Sequence, residues 1–273
     1  MSDFVPQRVV SLQPSATSIL ARLGVLDRVV ACTRYCRDVC PEIAQREHVI
    51  VADSWSAQSQ QILATRPDLV LASVPYQIES VGEILKAGIP FLGLAPHRLA
   101  DIYADITKIA ALMAVPERGR QLITAMEQEI ERVRTCSAYV TAAVRPRVFC
   151  EEWGKPIIHS QGWVAELVQA AGGEFLGTPG THTTADTVRD LNPDVVIAAW
   201  CGAGDRVPLE KIVRERGWEG VRAVRDSRVY CVRDELLNTP GPALLDGLHA
   251  LAHAVNPRLW PSARGIRRIA ERE

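Results

Sequence analysis

Two stretches decide the fold: QILATRPDLVLAS at 61–73 and TVRDLNPDVVIAA at 187–199. Each reads as a short helix, a Pro-Asp break and then an apolar run of strand length. A continuous apolar run bounded by breakers is the pattern of a strand covered on both faces, as in a parallel sheet. One such unit is common. Two, with corresponding elements on either side, point to two related α/β lobes.

Working outward, RVVSL at 8–12, RVVACT at 28–33 and PFLGLA at 90–95 read as further strands of the first lobe. SILARLG and ESVGEILKAG read as helices; Pro14 suits the start of the first and Gly24 its end. The second half repeats the plan: RPRVFCEE, DVVIAAW and SRVYCVR are strands, and WVAELVQAAGG is a helix closed by Gly172 and Gly173. Strands alternating with helices of 10–15 residues predict parallel sheets with helices on their faces, an α/β fold of two Rossmann-like lobes.

Between the halves lies PERGRQLITAMEQEIERVRTCSAYV, 116–140. Pro116 and Glu117 suit a first helical turn. Leu122, Ile123, Met126, Ile130 and Val133 recur at helical spacing. A helix of this length spans about 36 Å, enough to join two lobes rigidly where a flexible linker would be rich in Gly, Ser or Pro. The expected organisation is an N-terminal lobe over 1–115, a backbone helix over 116–140 and a C-terminal lobe over 141–273.

The chain has 273 residues, 47% hydrophobic and 23% charged, with a net charge of -1. That composition builds a core and lacks the basic stripe of a nucleic-acid binder. No run of about 18 apolar residues predicts a membrane span. MSDFVPQRVVSLQPSATSIL has no basic start and no apolar run of signal-peptide length, so the expected setting is cytoplasmic; a mature chain placed behind a new Met would read the same, and its setting would be periplasmic. Seven cysteines, an odd number, fit reduced thiols better than a disulfide framework. Cys136, Cys150 and Cys231 read as small core residues. The tail RGIRRIAERE reads as a solvated helix end.

RVVSLQPSATSILARLGVLDRVVACTRYC (8–36), DSWSAQSQQILATRPDLVLAS (53–73) and RVYCVRDELLNTPGPALLDGLHALAHAVNP (228–257) resemble the opening, second and closing units of the helical-backbone metal-chelate receptors. That family comprises the cobalamin, ferric-siderophore and haem binding proteins of ABC importers. The closing unit is most similar to the cobalamin branch, and the resemblance covers essentially 8–257. It implies non-catalytic binding of a bulky metal chelate, a cobalamin or other corrinoid, in a cleft between the lobes. It also implies placement against loops at the carboxyl ends of the strands, where open parallel sheets bind ligands.

Those loops are TRYCRDVC, ADSWSAQS, SVPYQIES, EEWGKPIIHSQGW, AWCGAGD and RDELLNTPG. Although aromatic residues make up only 5% of the chain, Tyr35, Trp55, Tyr76, Trp153, Trp163 and Trp200 fall in or beside them. Large flat side chains suit a large flat chelate. Trp218 and Trp260 read as packing. Cys36 and Cys201 are candidate ligand contacts, and His159 a candidate cap for an open metal position. Glu235 and Asn238 are expected to hydrogen-bond a corrinoid's amide rim or to cap the closing helix. Cys36 and Cys40 are candidate ligands for a bare metal ion, with Cys32 on the same spacing, although the segment reads as a loop and matches no standard zinc knuckle. His97 and His182 read as loop residues, His249 and His253 as a helix face.

No G-x-S-x-G elbow, phosphate-binding loop or dinucleotide fingerprint is present. Adjacent Glu151 and Glu152 point to opposite faces of a strand, which argues against joint acid–base work. Secreted members of the family dock on their permease through one acidic residue per lobe. The corresponding positions here are Gln60 and Asp186, so one lobe lacks its carboxylate and the ABC permease partnership is in question. A cytoplasmic carrier or sensor of a chelate, a bare-metal binder, and an enzyme of tetrapyrrole or metal-cofactor metabolism stand as alternatives.

Overall fold

The computed structural model describes residues 4–53, 56, 58–73, 78–140 and 145–270. The chain divides into two compact units, Met1–Pro96 with Ala100–Ala125, and His97–Leu99 with Met126–Glu273. The division falls inside a helix, where the sequence placed boundaries on either side of it.

The first unit contains β1 (Val9–Ser11), α1 (Pro14–Arg22), β2 (Val29–Thr33), α2 (Arg34–Val39), β3 (Val49–Val51), α3 (Ser59–Ala64), β4 (Leu69–Ser73), α4 (Ile78–Lys86), β5 (Phe91–Leu94), and most of α5 (Leu99–Leu112). Then α6 runs over Pro116–Val140. The five strands form one parallel sheet in the order β3-β2-β1-β4-β5. The central strands β1 and β4 are buried throughout, as their unbroken apolar runs require. Val10, Leu12, Ala31, Ile62, Val70 and Ile84 pack one face.

The second unit adds β6 (Arg147–Gly154), β7 (Ile157–His159), α7 (Gly162–Ala170), β8 (Glu174–Phe175), β9 (His182–Thr183), α8 (Ala185–Leu191), β10 (Val195–Ala198), α9 (Leu209–Glu215), α10 (Arg222–Arg225), β11 (Val229–Val232), α11 (Leu244–Val255) and β12 (Ile266–Arg268). Its sheet order is β12-β11-β10-β6-β7-β9, with β8 also on β6. β8, β6, β10 and β11 run parallel, while β7 pairs antiparallel with β6, β9 antiparallel with β7 and β12 antiparallel with β11. Phe149, Val188, Val196, Val213, Trp218 and Val229 belong to its core.

The repeated Pro-Asp unit does the same job in both units. Asp68 accepts the backbone N–H groups of Gln7 and Arg8 at 2.8 Å each, and its own N–H donates to Arg8 O at 2.9 Å. Asp194 accepts the N–H of Arg147 at 2.8 Å, and its N–H donates to Arg147 O at 2.8 Å. Each aspartate thus registers its own strand against the start of the neighbouring one. Arg66 and Asn192, the residues before each proline, have φ of 49° and 46°. Both lie in the left-handed region, which ends the preceding helix abruptly. At the end of α1, Gly24 takes φ of 69° and Val25 N–H reaches back to Leu20 O at 3.0 Å, a Schellman closure.

Three local expectations are corrected. Residues 34–39 form helix α2, not a loop; Thr33 is its N-cap residue, and Cys40 N–H closes it on Cys36 O at 2.9 Å. The segment 151–163 is not a loop but the β6–β7 hairpin leading into α7, so Trp153 and His159 lie in strands. The tail is not a helix end. β12 pairs with β11, Arg267 donates to Val207 O at 2.6 Å, and Ile269 is buried. Ile266 and Ile269 are three residues apart with two arginines between them, so GIRRI carries no period-two signal for this edge strand.

Candidate functional site

In both sheets the strand order turns back on itself beside a central strand, and the carboxyl ends there form a natural crevice. In the first unit the reversal lies between β1 and β4, and a cluster of buried polar groups sits one strand over, at the ends of β1 and β2. Ser11, Thr17, Thr33, Cys32 and Cys36 are all buried there. Thr17 Oγ1 donates to Ser11 Oγ at 2.9 Å, Thr33 Oγ1 and Cys36 Sγ are 3.3 Å apart, and Cys36 Sγ donates to Ser11 O at 3.8 Å. Burial alone would raise the Cys36 thiol, but hydrogen bonds from Cys32, Thr17 and Thr33 bring it down to about 7; its partner Cys32 is pushed well up.

Cys40 donates instead to Glu42 Oε2 at 3.4 Å, and burial first, then Glu42, pushes its thiol up to about 11. Cys36 and Cys40, the candidate ligands for a bare metal ion, are both buried, each on a different partner. Among the described residues no group of three or more His, Cys, Asp and Glu is placed to hold a metal. Tyr35, half-buried on α2, stays at the surface with the Arg34 guanidinium 4.7 Å from its ring centre. Trp55 and Tyr76 lie outside the described residues.

In the second unit the crevice is the end of β6 and β10. Glu151 and Glu152 diverge there, as their adjacency on a strand requires. Glu151 is fully buried and satisfied: Arg216 Nη1 donates to Oε2 at 2.8 Å and Trp200 Nε1 to Oε1 at 2.9 Å. Arg216 also donates to Gly154 O at 3.1 Å and stands 4.8 Å from the Trp218 ring centre. Burial pushes the Glu151 carboxyl up, against the pull of Arg216 and the Trp200 N–H. Trp200 presses on Gly154 so closely that any Cβ there would overlap its ring. Trp200 is thus held edge and face, half-buried, at the mouth of the strand.

Glu152, on the other face, is half-buried, and among the described residues its carboxylate takes one hydrogen bond, from Gln161 Nε2 at 2.7 Å. Burial pushes its carboxyl up, with Gln161 opposing. Beside it Cys201 N–H donates to Glu152 O at 3.1 Å. The Cys201 thiol is pushed up to about 12, by desolvation first and then by the Glu152 and Asp234 carboxylates. Asp234 organises the glycine turn after Trp200, accepting the N–H groups of Gly202 and Gly204 at 2.8 Å each. Asn238 ties the closing loop to β10: its Nδ2 donates to Ala199 O at 2.7 Å and to Cys201 Sγ at 3.3 Å. Glu235 pairs with Arg233. Neither Glu235 nor Asn238 caps α11, whose N-cap residue is Ala243.

The structure thus gathers Trp200, Cys201 and Asn238 at one corner. Trp153 is 43% exposed on the hairpin with its N–H on Lys155 O. Two candidates move into the core. His159 is buried, its Nδ1 3.0 Å from Thr181 O and its Nε2 packed against Gly177, so no metal position opens on it. Trp163 is buried, with Nε1 donating to Leu237 O at 2.8 Å. Both follow from the hairpin that the sequence hid. His249 contacts Glu129 at 2.8 Å and His253 contacts Trp260 O at 2.7 Å, separate partners on the α11 face. His97 is exposed; so is His182, which pairs in β9. Gln60 and Asp186 occupy matching second positions of α3 and α8, both exposed, with Asp186 2.7 Å from Arg189.

Sequence reasoning did not reach Gln161, Asp234 or Arg216. Arg216 lies 65 residues from Glu151 and had no local signal; Asp234 stood in a quoted loop, ahead of the Glu235 that was preferred.

The model of the periplasmic binding protein family matches residues 9–236. The uncharacterized ABC transporter substrate-binding lipoprotein YvrC of Bacillus subtilis (strain 168) is 24% identical over 92% of this chain and 81% of its own length. The vitamin B12-binding protein of Yersinia pestis (strain Pestoides F) is 29% identical over 71% of this chain and 69% of its own. A periplasmic heme binding protein from Pseudomonas aeruginosa superposes with a TM-score of 0.86 at 21% identity, covering 98% of this chain and 100% of that one. That last likeness speaks for the fold alone. Among the described residues no helix is long and apolar enough to cross a membrane.

Proposed function

Because the chain belongs to the periplasmic binding protein family, we propose that it is the substrate-binding component of an ABC importer and that its ligand is a corrinoid such as cobalamin. Binding is its whole task; no catalytic step is assigned. The observation that carries the ligand is the relationship, over 71% of the chain, to proteins named for vitamin B12 binding. The polar corner of Glu152, Cys201 and Asn238 beside Trp200 supports it, because a flat ring with an amide rim needs both an aromatic wall and hydrogen-bond acceptors.

The proposed contacts are Tyr35, Trp153, Trp200, Cys201, Glu235 and Asn238, with Trp55 and Tyr76 carried over from the sequence reading. A relative described as a substrate-binding lipoprotein supports a setting outside the cytoplasm, in place of the one expected from the N-terminal sequence. The exposed Asp186 is the proposed permease contact on the second unit, with Gln60 its uncharged counterpart on the first.

Equilibrium dialysis of the purified chain against cyanocobalamin, haemin and a ferric siderophore tests the reading. Saturable binding of cyanocobalamin at one equivalent is expected. Binding of haemin or the siderophore without cyanocobalamin would reassign the ligand, and failure of all three would remove the chelate reading.

A further inference from the structure

Glu152 is anomalous beside its neighbour. Glu151 is buried and takes donors on both oxygens, including a guanidinium. Glu152 is half-buried, yet among the described residues it has one neutral donor, Gln161, and no ion pair. An ionised carboxylate accepts about four hydrogen bonds, and removing it from water without them is costly. A fold that satisfies one glutamate so fully and leaves the next one wanting has reserved the second for something else.

The groups around it share one character. Cys201 Sγ is an acceptor from Asn238. Among the described residues Asn238 Oδ1 is buried with no partner, and its orientation is fixed because Nδ2 must donate to the Ala199 carbonyl. Asp234 adds a second carboxylate whose field reaches Cys201. The nearby cations are occupied: Arg216 with Glu151, Arg233 with Glu235, and Arg206 on Gly202 O at 3.2 Å. The corner is rich in acceptors and negative charge and poor in free donors.

We infer that Glu152 is the specificity-determining residue of this site, accepting N–H donors of an uncharged, amide-bearing chelate and turning away chelates that carry carboxylates or other oxyanions. This rests on the chelate-binding reading above. An amide rim presents N–H groups to the free carboxylate oxygen. A propionate brought to the same place meets like charge across a partly desolvated gap, where repulsion is far stronger than in water.

The test compares cyanocobalamin, whose rim is amide, with haemin, whose rim carries propionates, by equilibrium dialysis on wild type, Glu152→Gln and Glu152→Asp. Glu152→Gln keeps an acceptor for Gln161 but turns an acceptor into a donor toward the ligand. Wild type is expected to prefer cyanocobalamin. Glu152→Gln should lose about ten-fold or more in cyanocobalamin affinity and gain in haemin affinity. Glu152→Asp, which keeps the charge, should hold the wild-type order of preference. Thermal unfolding is read on all three proteins, and Glu152→Gln is expected to be no less stable than wild type, so lost binding is not lost folding. The inference is overturned if wild type prefers haemin, or if Glu152→Gln leaves the ratio of the two affinities within two-fold. A ratio that stays within two-fold leaves the functional reading untouched, whereas a wild-type preference for haemin also reassigns the ligand. If wild type binds neither probe, the functional reading fails and the inference with it.

Discussion

Replacing Arg216 with Met removes one half of a buried ion pair. The Glu151 side chain is 0% exposed and that of Arg216 10%, so solvent cannot stand in for the lost guanidinium. Truncating one partner of such a pair costs about 3–5 kcal/mol, because the other charge stays buried. Gly154 O also loses its donor, and Trp218 loses the cation over its ring. With a urea dependence of about 1–3 kcal/mol per molar, the unfolding midpoint of the second unit should fall by about 1 M or more. Tryptophan fluorescence reads that unit selectively, since Trp153, Trp163, Trp200, Trp218 and Trp260 fall in it and only Trp55 falls outside.

The deficit should depend on pH with a definite sign. Without Arg216, burial pushes Glu151 further up. A carboxyl whose folded pKa lies above its unfolded value contributes fully below the unfolded value, about 4.3, and loses that contribution as pH rises through the folded pKa. The variant should therefore approach wild type near pH 4 and fall away toward neutrality. The double variant Glu151→Leu, Arg216→Met removes both charges and leaves the Trp200 N–H without its acceptor, at about 1–3 kcal/mol, with Gly154 O lacking its donor as in the single variant. It should be more stable than the single variant. A single-variant deficit below about 1 kcal/mol, the size of a solvated surface pair, would refute the reasoning. So would an equal deficit at both pH values, or a double variant worse than the single.

Three further outcomes follow from the same geometry. Asp68→Ala and Asp194→Ala each strip backbone N–H groups of their acceptor and should destabilise their own unit by about 1–3 kcal/mol in urea unfolding; an effect on the other unit alone would contradict the register role. Glu152→Gln should raise thermal stability at neutral pH and lose that advantage below about pH 4, because burial holds the folded carboxyl above its unfolded value. Alkylation of Cys201, followed by peptide mass spectrometry, should still be rising about ten-fold per pH unit at pH 10, since its thiol is pushed up to about 12; a plateau near pH 9 would show an ordinary thiol.

The parallel strands and their order of appearance were legible because buried strands leave unbroken apolar runs between breakers, as in LVLAS and VVIA. The Pro-Asp repeat was legible for a deeper reason: the left-handed residue, the proline and the aspartate each have a backbone task that few residues perform. The hairpin of β6 and β7 was not legible. GKP at its turn lies between residues that alternate poorly, so Trp153 and His159 read as one loop running up to Trp163 at the opening of a helix, although His159 and Trp163 are buried. α2 was hidden because RYCRDV is too short to show helical periodicity. The distinction between Glu151 and Glu152 could be foreseen as a divergence of faces. Which face would be neutralised depended on Arg216, fixed by tertiary packing alone.

The central claim, that this chain binds a corrinoid, is met most directly by equilibrium dialysis of the purified protein with cyanocobalamin, read by the ligand's own visible absorbance. The account predicts saturation at one equivalent with a dissociation constant of about 1 μM or tighter, corresponding to about 8 kcal/mol of binding free energy. No saturable retention of cyanocobalamin, with haemin or a ferric siderophore retained in its place, would contradict it.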